Sequence, residues 1–229
     1  MTPREYFGDW YPYIDIQSMN VALSYLSKEK EYYPIASDVF KAFTLCKARD
    51  TFAIFLGQDP YPQKNVATGI LFGNRSTTPK DKLSPSLQII KEAVINYEIP
   101  HNIITFDNTL ESWAKQGILM LNSSLTVKPY MPGSHYLYWK QFIATFLKRF
   151  SISNSGIVYV LFGKQAQSFK VNINPTTSTI IEVEHPAALA RRNEKMPCSI
   201  FRDISDTIHN ISGKEIEWLH EETYGKFNL

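Results

Sequence analysis

Asp59, Asn122 and His185 lie far apart in the chain, yet each comes just after a short apolar run. Asp59 follows run 52–56 by way of Gly57 and Gln58, Asn122 follows run 117–121 directly, and His185 follows run 178–183 by way of Glu184. A fourth run, 157–162, leads into Gly163-Lys164-Gln165. Runs this short, rich in Ile, Val, Phe, Leu or Met, fit strands buried on both faces, as in a parallel sheet. Open parallel sheets take their ligands just beyond the carboxyl ends of the strands. A carboxylate, a carboxamide and an imidazole from three strand ends can therefore meet in one crevice. Together they offer a negative charge, a paired donor and acceptor, and a titratable ring. These types can hold a polar ligand; by themselves they define a site and leave its reaction open.

The elements between the runs must bring those strand ends together. Helical periodicity marks 18–26, 39–46, 87–94 after Ser86, 139–150, 166–169 and 199–211. Alternating strand and helix predicts an α/β fold, a three-layer α/β/α sandwich around a central four-stranded parallel sheet. The 229 residues fit one domain, 1–229, with no internal repeat and no inter-domain linker. A hydrophobic share of 44% is enough for a sizeable core, and the 14 Phe, 13 Tyr and 4 Trp can fill it or stack on nucleic-acid bases. A formal net charge of +2 means that a polyanion would have to be met by a local basic patch. Two distant cysteines, Cys46 and Cys198, neither frame a disulfide scaffold nor supply a zinc site, and read as reduced thiols of a cytoplasmic protein. No apolar run is long enough to span a membrane, and the acidic, Pro- and Trp-containing start has no secretory h-region.

The most specific stretch is Gly57-Gln58-Asp59-Pro60-Tyr61. Alone it would read as a turn. It resembles the Gly-Gln-Asp-Pro-Tyr-His signature of the family-one uracil-DNA glycosylases, and its companions follow in that family's order. They are Gly69-Ile70-Leu71-Phe72, Pro85-Ser86-Leu87, Trp113 to Gly117, Leu121-Asn122 with Leu125-Thr126-Val127, Ser134-His135, Trp139 with Phe142, Phe162-Gly163, and His185-Pro186 with Leu189. The resemblance runs from about Tyr33 to Trp218.

The resemblance implies hydrolysis of the N-glycosidic bond of a deoxyuridine flipped out of DNA, leaving an abasic site and initiating base excision repair, with no metal and no cofactor. A uracil anion is a tolerable leaving group, so one carboxylate near the sugar and donors near the base suffice. Asp59 would orient a water and stabilise the sugar cation. His185, as a neutral donor to uracil O2, would stabilise the developing charge, a contribution of roughly 3–4 kcal/mol per donor in other enzymes. Asn122 would pair with O4 and N3–H, a pattern that cytosine reverses. Tyr61 would exclude a C5 methyl, Phe72 would stack on the base, and main-chain groups of Gln58 would help to hold it. Ser86, Lys164, Arg191 and Arg192 would face phosphates, and Leu189, in a loop after His185-Pro186, would wedge into the vacated stack.

The chain also departs from the family pattern. Pro62 stands in place of the signature's His, as in poxvirus members. Ala187 and Ala190 replace two phosphate-gripping serines, Lys164 replaces a small polar residue, and Thr68 replaces a frequent His. These changes bear on DNA affinity more than on chemistry. The implied partner is uracil-containing DNA, single- or double-stranded, with an inhibitor protein or a replication protein as further partners, and the protein is expected to be a monomer. Localisation is expected to be cytoplasmic and nucleoid-associated, or nuclear or host-cell for a eukaryotic or viral source. Two alternatives stand beside excision of uracil: a DNA-binding replication accessory on the same fold, and a glycosylase for another modified base.

Overall fold

A computed structural model describes residues 1–97 and 104–221; the remainder of the expected 1–229 domain lies outside the described residues. In chain order the elements are α1 (Pro3–Phe7), α2 (Ile16–Leu26), α3 (Ala42–Leu45), β1 (Ala53–Gly57), α4 (Pro85–Tyr97), β2 (Ile104–Thr105), α5 (Glu111–Lys115), β3 (Ile118–Asn122), α6 (Tyr136–Ser153), β4 (Ile157–Phe162), α7 (Gly163–Gln167), β5 (Ser178–Val183), α8 (Pro186–Arg191), α9 (Ser199–Ser212) and β6 (His220–Glu221). Four strands form one parallel sheet in the order β3-β1-β4-β5, while β2 and β6 make a two-residue antiparallel ladder. The chain leaves β1 for β3 on one side and returns to β4 on the other. Such a reversal opens a crevice at the carboxyl ends of the strands.

Side-chain alternation along the strands sorts the apolar residues into two layers. Ile54, Leu56, Leu119, Leu121, Tyr159 and Leu161 face a core built with Trp10, Phe43 and the inner side of α6, namely Trp139, Phe142, Phe146 and Phe150. Ala53, Phe55, Ile118, Met120, Val158 and Val160 face the other core, with Leu87, Ile90 and Val94 of α4, Trp113 of α5 and Phe201, Ile204 and Ile208 of α9. The expected three layers are therefore present. Burying a large aliphatic or aromatic side chain of this kind contributes about 1.5–3 kcal/mol. All four tryptophans are buried, and each indole N–H is satisfied: Trp10 by the Cys46 carbonyl, Trp113 by the Trp218 carbonyl, Trp139 by Thr126 and Trp218 by Ser205.

Some elements differ from the sequence reading. β5 is an edge strand and only partly buried, whereas β3 at the other edge is buried throughout. The expected helix 39–46 shrinks to α3, preceded by a separate 3-10 turn at Ala36–Asp38. The segment after His185-Pro186 is no loop: His185 caps the N-terminus of α8 and Pro186 occupies its first turn, where a missing N–H costs nothing.

Candidate active site

The parallel register places Gly57 beside Asn122 and Phe162 beside Val183, so the residues that follow the strands emerge along one edge. There they line a single cavity of about 730 Å³. Gln58, Asp59, Tyr61, Phe72, Ser86, Asn122, Lys164, His185, Arg191 and Arg192 all contribute to its wall. Of the residues singled out from the sequence, Leu189 alone is missing from that wall.

Asp59 sits on the turn after β1. Burial pushes its carboxyl up to about 6, against the pull of the Gly133 amide and its own amide, both of which favour the charged form. Asn122 ends β3 with 5% exposure, and its Oδ1 is buried with no hydrogen-bond partner. A buried acceptor left unpaired costs about 1–3 kcal/mol, so a donor that fills it is rewarded on binding. Gly57 beside it lets Leu71 close in, since a Cβ there would collide with Leu71 Cδ1.

His185 is fixed from two sides. Its Nδ1 accepts the Ala187 N–H at 3.1 Å, which leaves the ring proton of the neutral form on Nε2. Burial, aided by the Arg191 cation, lowers its pKa to about 4, so the ring is a neutral donor at pH 7. Gly163 makes the close approach to the ring possible: with φ at +82°, its Cβ would lie 2.7 Å from the His185 Cβ.

Two aromatic walls complete the cavity. Phe72 has a left-handed backbone (φ +59°) and packs edge-on against Phe162 and His185. The Tyr61 hydroxyl donates to the Phe72 carbonyl at 3.0 Å, tying one wall to the other. Thr68 accepts the Ile70 N–H and donates to the Gly73 carbonyl, which clasps the turn that presents Phe72. The Gln58 carbonyl accepts from Ser123 Oγ and the Ser124 N–H, so main-chain recognition by Gln58 falls to its N–H.

Two of the residues expected to contact DNA are held within the protein in this structure. Leu189 is 5% exposed and belongs to the core on the α4 face of the sheet, because α8 is a helix packed against α4 and turns this side chain inward. Arg192 lies at the wall but is held by Glu184 at 2.9 Å and Glu194 at 2.7 Å, so its charge is already partnered. Lys164 and Arg191 have no carboxylate partner among the described residues. The sequence reading also missed Gln165, whose Nε2 donates to Ser123 Oγ at 2.9 Å, and the Gly133 amide that holds Asp59. Gln165 was legible as a polar residue after β4. Gly133 carries no side chain to give it away. Among the described residues no group of three or more His, Cys, Asp or Glu side chains is placed to hold a metal ion.

Fold and site together define an α/β protein with a partly buried polar pocket, walled by aromatic rings and suited to a small planar ligand. The model of the Uracil DNA glycosylase superfamily matches residues 43–208, and the chain belongs to that family. A uracil-DNA glycosylase of Campylobacter lari is 36% identical over 195 residues, covering 84% of this chain and 82% of the relative. Another from Aliivibrio salmonicida is 32% identical over 193 residues, covering 84% of each. Among solved structures, a variant of mimivirus UNG in complex with UGI superposes with a TM-score of 0.77 at 22% identity, covering 95% of this chain and 88% of that one. That likeness is one of fold.

Proposed function

We propose that the protein is a monofunctional uracil-DNA glycosylase of family one, which hydrolyses the bond between uracil and deoxyribose in DNA and leaves an abasic site. The observation that carries this reading is the Asn122 amide, buried with an unpartnered Oδ1 in the same cavity as Asp59 and His185. Uracil N3–H supplies the donor that Oδ1 lacks, and O4 accepts from Nδ2. Cytosine offers an acceptor at N3 and a donor at C4, which would leave both atoms of the amide unmatched.

The chemistry then divides between the two titratable groups. Asp59, ionised at pH 7, faces the sugar, stabilises positive charge as the C–N bond breaks, and orients the attacking water. His185 stays neutral and donates from Nε2 to uracil O2, where negative charge collects. Its low pKa suits this role, since the proton is shared with the leaving group and not transferred. Phe72 stacks on the base, and Tyr61 occupies the space next to C5. Lys164, Arg191 and Ser86 meet phosphates. A proteinaceous partner is supported by the complex of the structurally similar mimivirus UNG with UGI.

The test is incubation with a single-uracil oligonucleotide in EDTA, followed by alkali. Strand scission at the uracil, absent with cytosine or thymine at that place, is the expected result. Intact strands, or scission at a different modified base only, would refute the reading.

A further inference from the structure

Beside the cavity the chain makes a tight turn, 128–134, joined to Asp59 through the Gly133 amide. Its apex carries two large apolar side chains in water: Tyr130 is 72% exposed and Met131 57%. The tyrosine has a left-handed backbone, φ +56°, which bulky residues adopt at a cost. The turn is nevertheless held firmly. The Tyr130 N–H donates to the Pro62 carbonyl at 3.0 Å, the Met131 N–H to the Lys128 carbonyl at 3.2 Å, and the Lys128 N–H to Ser134 Oγ at 2.8 Å. Pro132, next in sequence, lines the cavity, and the Gly133 amide is bonded to Asp59. The apex is thus fixed to the segment that carries the carboxylate, with its ring turned to solvent.

We propose that the Tyr130–Met131 apex is a stacking platform for a base neighbouring the target nucleotide in single-stranded DNA. The proposal rests on the reading of the cavity as a site for a DNA base. A single strand whose one base enters the cavity must run over the cavity's rim, and Pro132 makes the apex continuous with that rim. Its neighbouring bases are unpaired, and an unpaired base gains by stacking on an exposed aromatic ring, whatever its sequence. A ring on a pre-fixed turn loses little freedom when it binds. Lys64, exposed and two residues beyond Pro62, has no acidic partner among the described residues and can meet the phosphate of the stacked nucleotide. A duplex would keep the neighbouring base in its own stack and gain nothing here.

The experiment measures dissociation constants of an oligo-dT single strand by fluorescence anisotropy for the wild type and Tyr130→Ala, Tyr130→Gly, Tyr130→Trp and Ile152→Ala. The last is a control, an exposed apolar residue at the far end of α6. Alanine and glycine should weaken binding about tenfold, tryptophan should retain it, and the control should match the wild type. Glycine relieves the backbone strain while removing the ring, so equal losses for alanine and glycine assign the effect to the ring. The same variants are then tested for KM on a uracil-containing single strand, with and without base-free spacers flanking the uracil. The alanine penalty should vanish when the neighbouring base is absent. Unchanged binding in both small variants, or a KM penalty that persists with spacers, would overturn the proposal. If the wild type leaves uracil in place on every oligonucleotide, the enzymatic reading fails, while the dT measurement still decides the platform.

Discussion

At the scale of single residues, the cavity shifts two titratable groups in opposite directions, the Asp59 carboxyl upward and the His185 imidazole downward. Asp59 is raised to about 6 by burial, so it loses its charge as pH falls through that value. His185 is lowered to about 4 and stays neutral through the same range. The acid limb of kcat/KM should therefore break near pH 6 with unit slope, and the loss comes from the carboxylate. A break at pH 4 or below would show that Asp59 is not the group whose charge matters. Asp59→Asn should reduce kcat about 10³-fold or more while DNA binding survives. The same substitution should raise the melting temperature at pH 7. The raised folded-state pKa means that ionisation opposes folding above about pH 4, with the full cost reached above pH 6. Wild-type turnover in this variant would remove Asp59 from the mechanism. Asn122→Asp should shift preference toward cytosine, because an oxygen that accepts from the C4 amino group replaces the Nδ2 donor. An unchanged preference in paired uracil and cytosine assays would count against Asn122 as the reader.

The elements explain which of these residues the sequence made legible. β1, β3 and β4 were readable because strands buried on both faces leave uninterrupted apolar runs, and the polar residue that ends each run marks the crevice. α8 was harder. Ala188-Leu189-Ala190 before two arginines reads as an apolar tip on a basic loop. The deciding signal was Pro186 in the first turn with Leu189 three positions on, a spacing that puts both on one helix face, and both are buried. The hydrogen bond from Gly133 to Asp59 left no trace in the sequence, since a main-chain amide has no residue type. These distinctions carry consequences. Leu189→Ala should destabilise the fold by about 2–5 kcal/mol, read from denaturant unfolding, because it empties a core position packed against α4. A surface wedge would lose much less than that. Gly163→Ala should cut kcat about tenfold or more by displacing His185, given the 2.7 Å approach and the positive φ of Gly163. Wild-type kcat with intact folding would mean that the imidazole tolerates the shift.

For the whole molecule, charge decides how tightly a polyanion is held. The net charge of +2 is too small for long-range capture, so affinity depends on cations that actually meet phosphates. Arg192 is neutralised by Glu184 and Glu194, and Lys128 by Glu29 at 3.0 Å. Lys164 and Arg191 line the cavity without such partners. If these two and Lys64 carry the phosphate contacts, binding neutralises three phosphates, and log K against log salt for a single strand should have a slope of about −2.1. Lys164→Gln should make that slope shallower by about 0.7, and Arg192→Gln should hardly change it, since the arginine's charge is already spent within the protein. The measurement is a salt titration of single-strand binding using the Asp59→Asn background, so that uracil is not excised during the experiment. An Arg192→Gln effect as large as that of Lys164→Gln would mean that the ion pairs open on DNA, and that Glu184 and Glu194 serve to store the arginine until a phosphate displaces them.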